Sequence, residues 1–147
     1  MTDTERRKQR GKISQTEVVS LEDKSSDDRF VYLLDEFCGQ EEAWTLLAPD
    51  NQPAGWYDGA QCCDIIPIWP NEEFSKNFLD HKAKKGWRCV PIPLDDWLDD
   101  VLPALQQAKY RISTFPVLGQ SSFTMLPSEL ADELENHWKL FAKSLIT

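Results

Sequence analysis

Asp95, Asp96, Asp99 and Asp100 are the densest charge on this chain. On a helix, Asp95/Asp99 and Asp96/Asp100 stand four apart, so two like-charged pairs share a side. Each pair opposes the helix by a few tenths of a kcal/mol, partly offset by the positive N-terminal end of its dipole. Such a cluster can solvate a helix face, dock a basic partner, or supply carboxylates to a metal or a proton transfer. The third use needs ligands from elsewhere, and the two histidines, His81 and His137, have no obvious spacing for it. Cys38, Cys62, Cys63 and Cys89 include no CxxC pair. Adjacent Cys62 and Cys63 on a strand would point to opposite faces, so four buried, reduced thiols are expected. Cys89 beside His81 would make a nucleophile and base, but nothing nearby predicts an activating environment. The reading names no catalytic residue, cofactor or metal. Its partner-binding candidates are Asp95, Asp96, Asp99, Asp100 and Trp56, the last beside a turn-rich loop. A small-molecule site would instead draw on Asp58, Asp64, His81, Cys89 and Asp95.

These side chains need a scaffold, and its centre is residues 65–74, Ile-Ile-Pro-Ile-Trp-Pro-Asn-Glu-Glu-Phe. The β-branched run suits a covered strand. Pro70 ends that strand at about Trp69, and Asn71 with Glu72 and Glu73 opens a helix. Upstream, Phe30, Leu33, Leu34 and Phe37 recur at helical spacing after the caps Ser25 and Ser26, with Gly39 as the stop. Residues 43–48 and 56–57 read as strands, and with 61–69 they suggest an antiparallel meander. Downstream, 87–92 is a strand in which Pro91 marks an edge position or an early end. Residues 94–107 form a helix that Pro103 must kink or divide. A strand over 110–115, a short one near 123–126, and a helix over 127–145 complete the chain. In the last, Leu130, Leu134, Trp138, Phe141 and Leu145 fall within about 80° of arc. That stripe covers the sheet or serves as a dimer seam. The six tryptophans otherwise read mostly as packing.

Charge is unevenly spread. Residues 25–147 hold 10 Lys/Arg against 20 Asp/Glu, a net of −10. Residues 1–24 hold six against five, and Arg6, Arg7, Lys8, Arg10 and Lys12 are clustered. So acidic a body repels nucleic acid and anionic lipid and attracts basic proteins. No run of about 18 apolar residues exists, so no membrane span is expected, and residues 1–12 lack the apolar core of a secretory signal. The cytoplasm is the expected compartment, and residues 1–24 the expected disordered tail, with 18–21 able to dock.

From about residue 30 to 134 the chain resembles the bacterial domain of unknown function 2750. The likeness rests on Ala43-Trp44-Thr45-Leu46, Gly55-Trp56, Ile66-Pro67-Ile68-Trp69-Pro70-Asn71-Glu72-Glu73-Phe74, Ile92-Pro93-Leu94-Asp95-Asp96-Trp97-Leu98, Leu102-Pro103-Ala104-Leu105 and Phe115-Pro116. It implies a small α+β domain and brings no activity, cofactor or catalytic residue with it. The expected fold is α+β: one mixed, mostly antiparallel sheet of five to six strands, in the order α-β-β-β-α-β-α-β-(β)-α. Residues 25–147 would form that single domain. The expected role is a non-enzymatic interaction module, immunity- or inhibitor-like, that binds a basic partner. The alternatives are a small-molecule binder or enzyme, and a homodimeric subunit joined through the terminal helix.

Overall fold

The computed structural model describes residues 13–82 and 85–146. The basic cluster Arg6–Lys12 lies outside them. Its elements are α1 (Gln15–Glu22), α2 (Ser26–Gln40), β1 (Glu42–Leu47), β2 (Trp56–Asp58), β3 (Cys63–Ile68) and α3 (Glu72–Lys82). There follow β4 (Arg88–Pro93), α4 (Leu94–Asp96), a π turn (Trp97–Val101), α5 (Leu102–Gln107), β5 (Arg111–Thr114), β6 (Phe123–Met125) and α6 (Pro127–Ile146). From α2 onward this is the expected α+β order.

The core sits where the isoleucine run predicts. Ile65, Ile66, Ile68 and Trp69 are all buried. β3 pairs with β5 in parallel, Ile66 opposite Ile112, and Phe115 extends the pairing by donating its N–H to the Ile68 carbonyl at 2.8 Å. At its end β3 also meets β1, because Trp44 and Trp69 exchange both backbone hydrogen bonds, at 2.8 and 2.9 Å. The buried Thr45 hydroxyl adds a bond to the Pro67 carbonyl.

The expected single sheet and its meander need correction. The six strands divide into a β1–β4 pair and a four-stranded sheet in the order β2-β3-β5-β6. β1 leaves β2 to pair antiparallel with β4, Trp44 opposite Pro91, and β4 is the edge on which a strand proline costs no ladder bond. The third strand begins at Cys63, two residues late. Cys62 takes a left-handed conformation (φ 53°) in the turn and is exposed, so the adjacent cysteines do not share a strand. Of the four thiols only Cys38 is fully buried.

Helix ends also shift. α2 runs through Gly39 to Gln40, and Glu41 takes the left-handed cap (φ 58°). Pro103 falls where the helix over 94–107 is divided, as expected, into α4 and α5 by the π turn Trp97–Val101. In an α-helix its ring would crowd the carbonyl four residues back, and the chain relieves this by widening the preceding turn. The Leu102 N–H accordingly reaches back five residues to the Trp97 carbonyl. The indole of Trp97, fully buried, bonds the Ala43 carbonyl and packs edge-on against Phe37. α6 packs chiefly on α2 and α5 and less on β5, so it covers helices more than strands.

Residues 15–22, within the stretch expected as a tail, form α1, and the allowed docking of 18–21 falls on it. Ser14 caps α1 by accepting the Glu17 N–H, and Val18 is 0% exposed in the core. No helix among the described residues is long and apolar enough to cross a membrane.

Candidate functional site

The helical segment 94–101 is two-faced for the reason its sequence gives. Leu94 and Trp97 are buried and Leu98 half-buried, whereas Asp95, Asp96, Asp99 and Asp100 are all exposed. The segment starts beside α2, because the Leu94 N–H donates to the Glu41 carbonyl at 2.8 Å. That bond puts the left-handed cap residue Glu41 at the mouth of a groove. α6 forms the other wall and is held on α2 by His137, whose Nε2 lies 2.6 Å from Asp35 Oδ1. Between the walls lies a groove of about 240 Å³ with Leu94, Leu98 and Trp138 as its apolar lining. Glu41, Asp95 and Glu135 bring three carboxylates to it, against one cation, Lys139.

Of the acidic quartet, Asp95 alone lines this groove, and Asp96, Asp99 and Asp100 stay on the solvated face beside it. Trp56 lies elsewhere, in a cleft at the β2 edge that also holds Asp64 and Trp87. Its ring packs on Phe78, with centroids 5.6 Å apart, so part of it serves the core.

The small-molecule set scatters. Asp58 caps its own turn, accepting the Ala60 N–H at 2.9 Å and the Gln61 side chain at 3.1 Å. Asp64 lies in the Trp56 cleft and Asp95 in the acidic groove. Burial pushes the Cys89 thiol above its ordinary range, the reverse of an activated nucleophile. His81 is exposed, with Nδ1 2.8 Å from the Asn77 carbonyl. Burial and the nearby Asp35 push the Cys38 thiol up to about 11. Among the described residues no three His, Cys, Asp or Glu side chains gather as a metal site would require.

Sequence reasoning missed two places. Trp138 read as one more residue of a packing stripe, and only its neighbours across the groove give it a second use. The other place is a cleft of about 350 Å³ between α1, α3 and residues 116–118, lined by Gln15, Glu22, Asn77 and His81 among others. Burial pushes the Glu22 carboxyl above the usual range, opposed by a hydrogen bond from Asn77 and by the charges of His81 and Arg29. The signal for it lay in Ser14-Gln15-Thr16-Glu17, a capping-box spacing just before an apolar pair.

The fold and its grooves define a small α+β domain. Residues 30–134 match the family model described as "Protein of unknown function (DUF2750)", and the chain belongs to that family. No curated protein matches the chain.

Proposed function

We propose that this chain is a non-enzymatic binding module that takes a cationic, amphipathic stretch of a partner protein between segment 94–101 and α6. The observation that carries this is the pairing of an apolar floor with a carboxylate rim in one groove. Apolar side chains of the partner would seat on Leu94, Leu98 and Trp138. Its lysines or arginines would meet Asp95, Glu135 and Glu41, while Asp96, Asp99 and Asp100 extend the field and steer approach. The net charge of −10 over residues 25–147 favours the same partner. Rim charges exposed to water contribute only about 0.2–1 kcal/mol each, so affinity rests on the tryptophan anchor and the charges chiefly set rate and choice of partner.

The test is a titration with basic amphipathic helical peptides, followed through tryptophan fluorescence at several salt concentrations. Trp138→Ala should weaken binding about thirtyfold or more, the order of a 2 kcal/mol anchor. The double change Asp95→Lys with Glu135→Lys should remove the salt dependence. Binding that survives both changes, or that a peptide of the same composition without amphipathic order matches, refutes the reading.

A second reading has its own observation. Leu140 on α6 is 66% exposed, beside the half-buried Trp138 and Phe141, so a second copy of the chain is the rival occupant of that end of the helix.

A further inference from the structure

The cleft at the β2 edge is chemically unlike the groove on α6. Three aromatic residues, Tyr57, Trp87 and Tyr110, and one carboxylate, Asp64, line a space of about 250 Å³, with Trp56 at its margin and its ring turned to Phe78. Strand register explains part of the gathering. Tyr57 stands directly opposite Asp64 in the β2–β3 pair. Ile65 stands opposite Arg111 in the β3–β5 pair, so Tyr110, one residue earlier, comes beside Asp64 from the other side. A carboxylate therefore sits in a lateral row between two phenol rings, because laterally registered residues point to the same face of a sheet. By the same alternation Arg111 belongs to the opposite row, with Ile65 and Trp56, and does not lie in line with Asp64. Among the described residues the Asp64 side chain makes no ion pair or hydrogen bond, and it is exposed. Tyr57 is 64% exposed, an unusual position for a large ring on a short edge strand.

Aromatic rings present a negative face, and a desolvated organic cation is drawn to it, most strongly over tryptophan. A carboxylate among such rings adds the counter-charge. Hydrated ammonium groups gain less there than alkylated ones, whose methyl groups spread the charge and fill apolar space. We propose that this cleft is a binding site for an alkylated ammonium group, either a free quaternary ammonium compound or a methylated lysine. The site lies apart from the acidic groove, shares no residue with it, and stands whether or not that groove binds a peptide.

The experiment titrates the full chain with choline, with tetramethylammonium, and with the neutral tert-butyl analogue of choline, reading the indole N–H signals by NMR. A short peptide carrying trimethyllysine, and its unmethylated twin, form the second arm. The cations should shift the Trp87 indole saturably, with the neutral analogue at least about tenfold weaker. Asp64→Asn and Tyr57→Ala, both at exposed positions that leave the core packing alone, should each weaken the cation several-fold. A free ammonium as tight as the methylated peptide assigns the site to small molecules, and a tighter methylated peptide assigns it to modified lysine. Equal binding of the neutral analogue overturns the proposal, as does the absence of any saturable indole shift, or indifference to both substitutions.

Discussion

Arg29 is 2% exposed and reaches four acceptors, none of them a carboxylate. Its Nε donates to the Phe115 carbonyl at 3.2 Å, Nη1 to the Lys24 carbonyl at 2.6 Å and Gln120 Oε1 at 2.9 Å, and Nη2 to the Ser121 carbonyl. One guanidinium thus ties the α1–α2 connection to the loop after β5. Phe115 holds φ at 52°, a left-handed conformation that costs a non-glycine residue about 1–2 kcal/mol. The Trp69 indole bonds the next carbonyl, Pro116, at 2.9 Å, so two buried donors hold this turn. Consider Arg29→Met, which keeps the apolar stem and removes the fork. The Phe115 carbonyl becomes a buried acceptor without its donor, at about 1–3 kcal/mol. The other three acceptors belong to exposed residues, so water replaces the lost donor at about 0.5–1.5 kcal/mol each. The expected loss is roughly 2.5–7.5 kcal/mol, a large part of a typical stability of about 5–15 kcal/mol. Arg29→Lys should recover little, because a single ammonium cannot span four acceptors on two segments. Urea unfolding followed by tryptophan fluorescence measures the loss, and limited proteolysis locates it at residues 116–121. A loss below about 1 kcal/mol for Arg29→Met, or full recovery by Lys, refutes the clamp.

Lys109 (φ 64°) occupies the left-handed position after α5, with the Tyr110 N–H bonded to the Leu105 carbonyl and its own N–H to the Gln106 carbonyl. Lys109→Gly should stabilise the chain by about 0.5–1 kcal/mol in urea unfolding, and a loss would show the strain is absent. The Glu22 carboxyl lies above its ordinary 4.5, chiefly through burial, so the fold holds this proton more tightly than the unfolded chain does. The stabilisation is full below 4.5 and is lost as pH rises through the raised value, so Glu22→Gln should gain on the natural chain across that window. Stability curves that stay parallel from acid to neutral pH would contradict it. For the dimer reading, Leu140→Glu should convert any dimer seen by light scattering at high concentration into monomer, and a natural chain that is already monomeric removes that reading.

What the sequence made legible was covered surface. A β-branched run bounded by Trp-Pro has few uses other than a strand with both faces packed, and Ile65 to Trp69 are that strand. The two-faced segment 94–101 was legible for the same reason, since its leucines and aspartates sort by helical period. Partner choice between strands was not. β1 pairs with β4, more than forty residues away, and local pattern carries no record of such a pairing. Positive-φ residues also hid, because Glu41, Cys62, Lys109 and Phe115 are not the residues a turn rule looks for. Trp56 read as a surface anchor from its loop, yet one side of its ring is committed to Phe78.

One groove lies at the edge of the main sheet and the other between helices. β2 is three residues long and is the outer strand of its sheet, so the rings at its margin lack a neighbouring strand to cover them. α6 is 20 residues long, and its buried leucines, Leu130 and Leu134, belong to its first half. Beyond them Trp138 and Phe141 are half-buried and Leu140 exposed, so the apolar stripe outlasts the surface available to cover it. An apolar stripe kept on a charged helix past its own core is costly in solubility unless something meets it. The carboxylates Asp95 and Glu135 at that place bias what can do so. They oppose another acidic surface, which includes a second copy of this chain docked groove to groove, and they favour a cation. Charge thereby separates the two readings of α6: a homodimer must form on the Leu140 side and leave the groove open, whereas a basic partner must enter it.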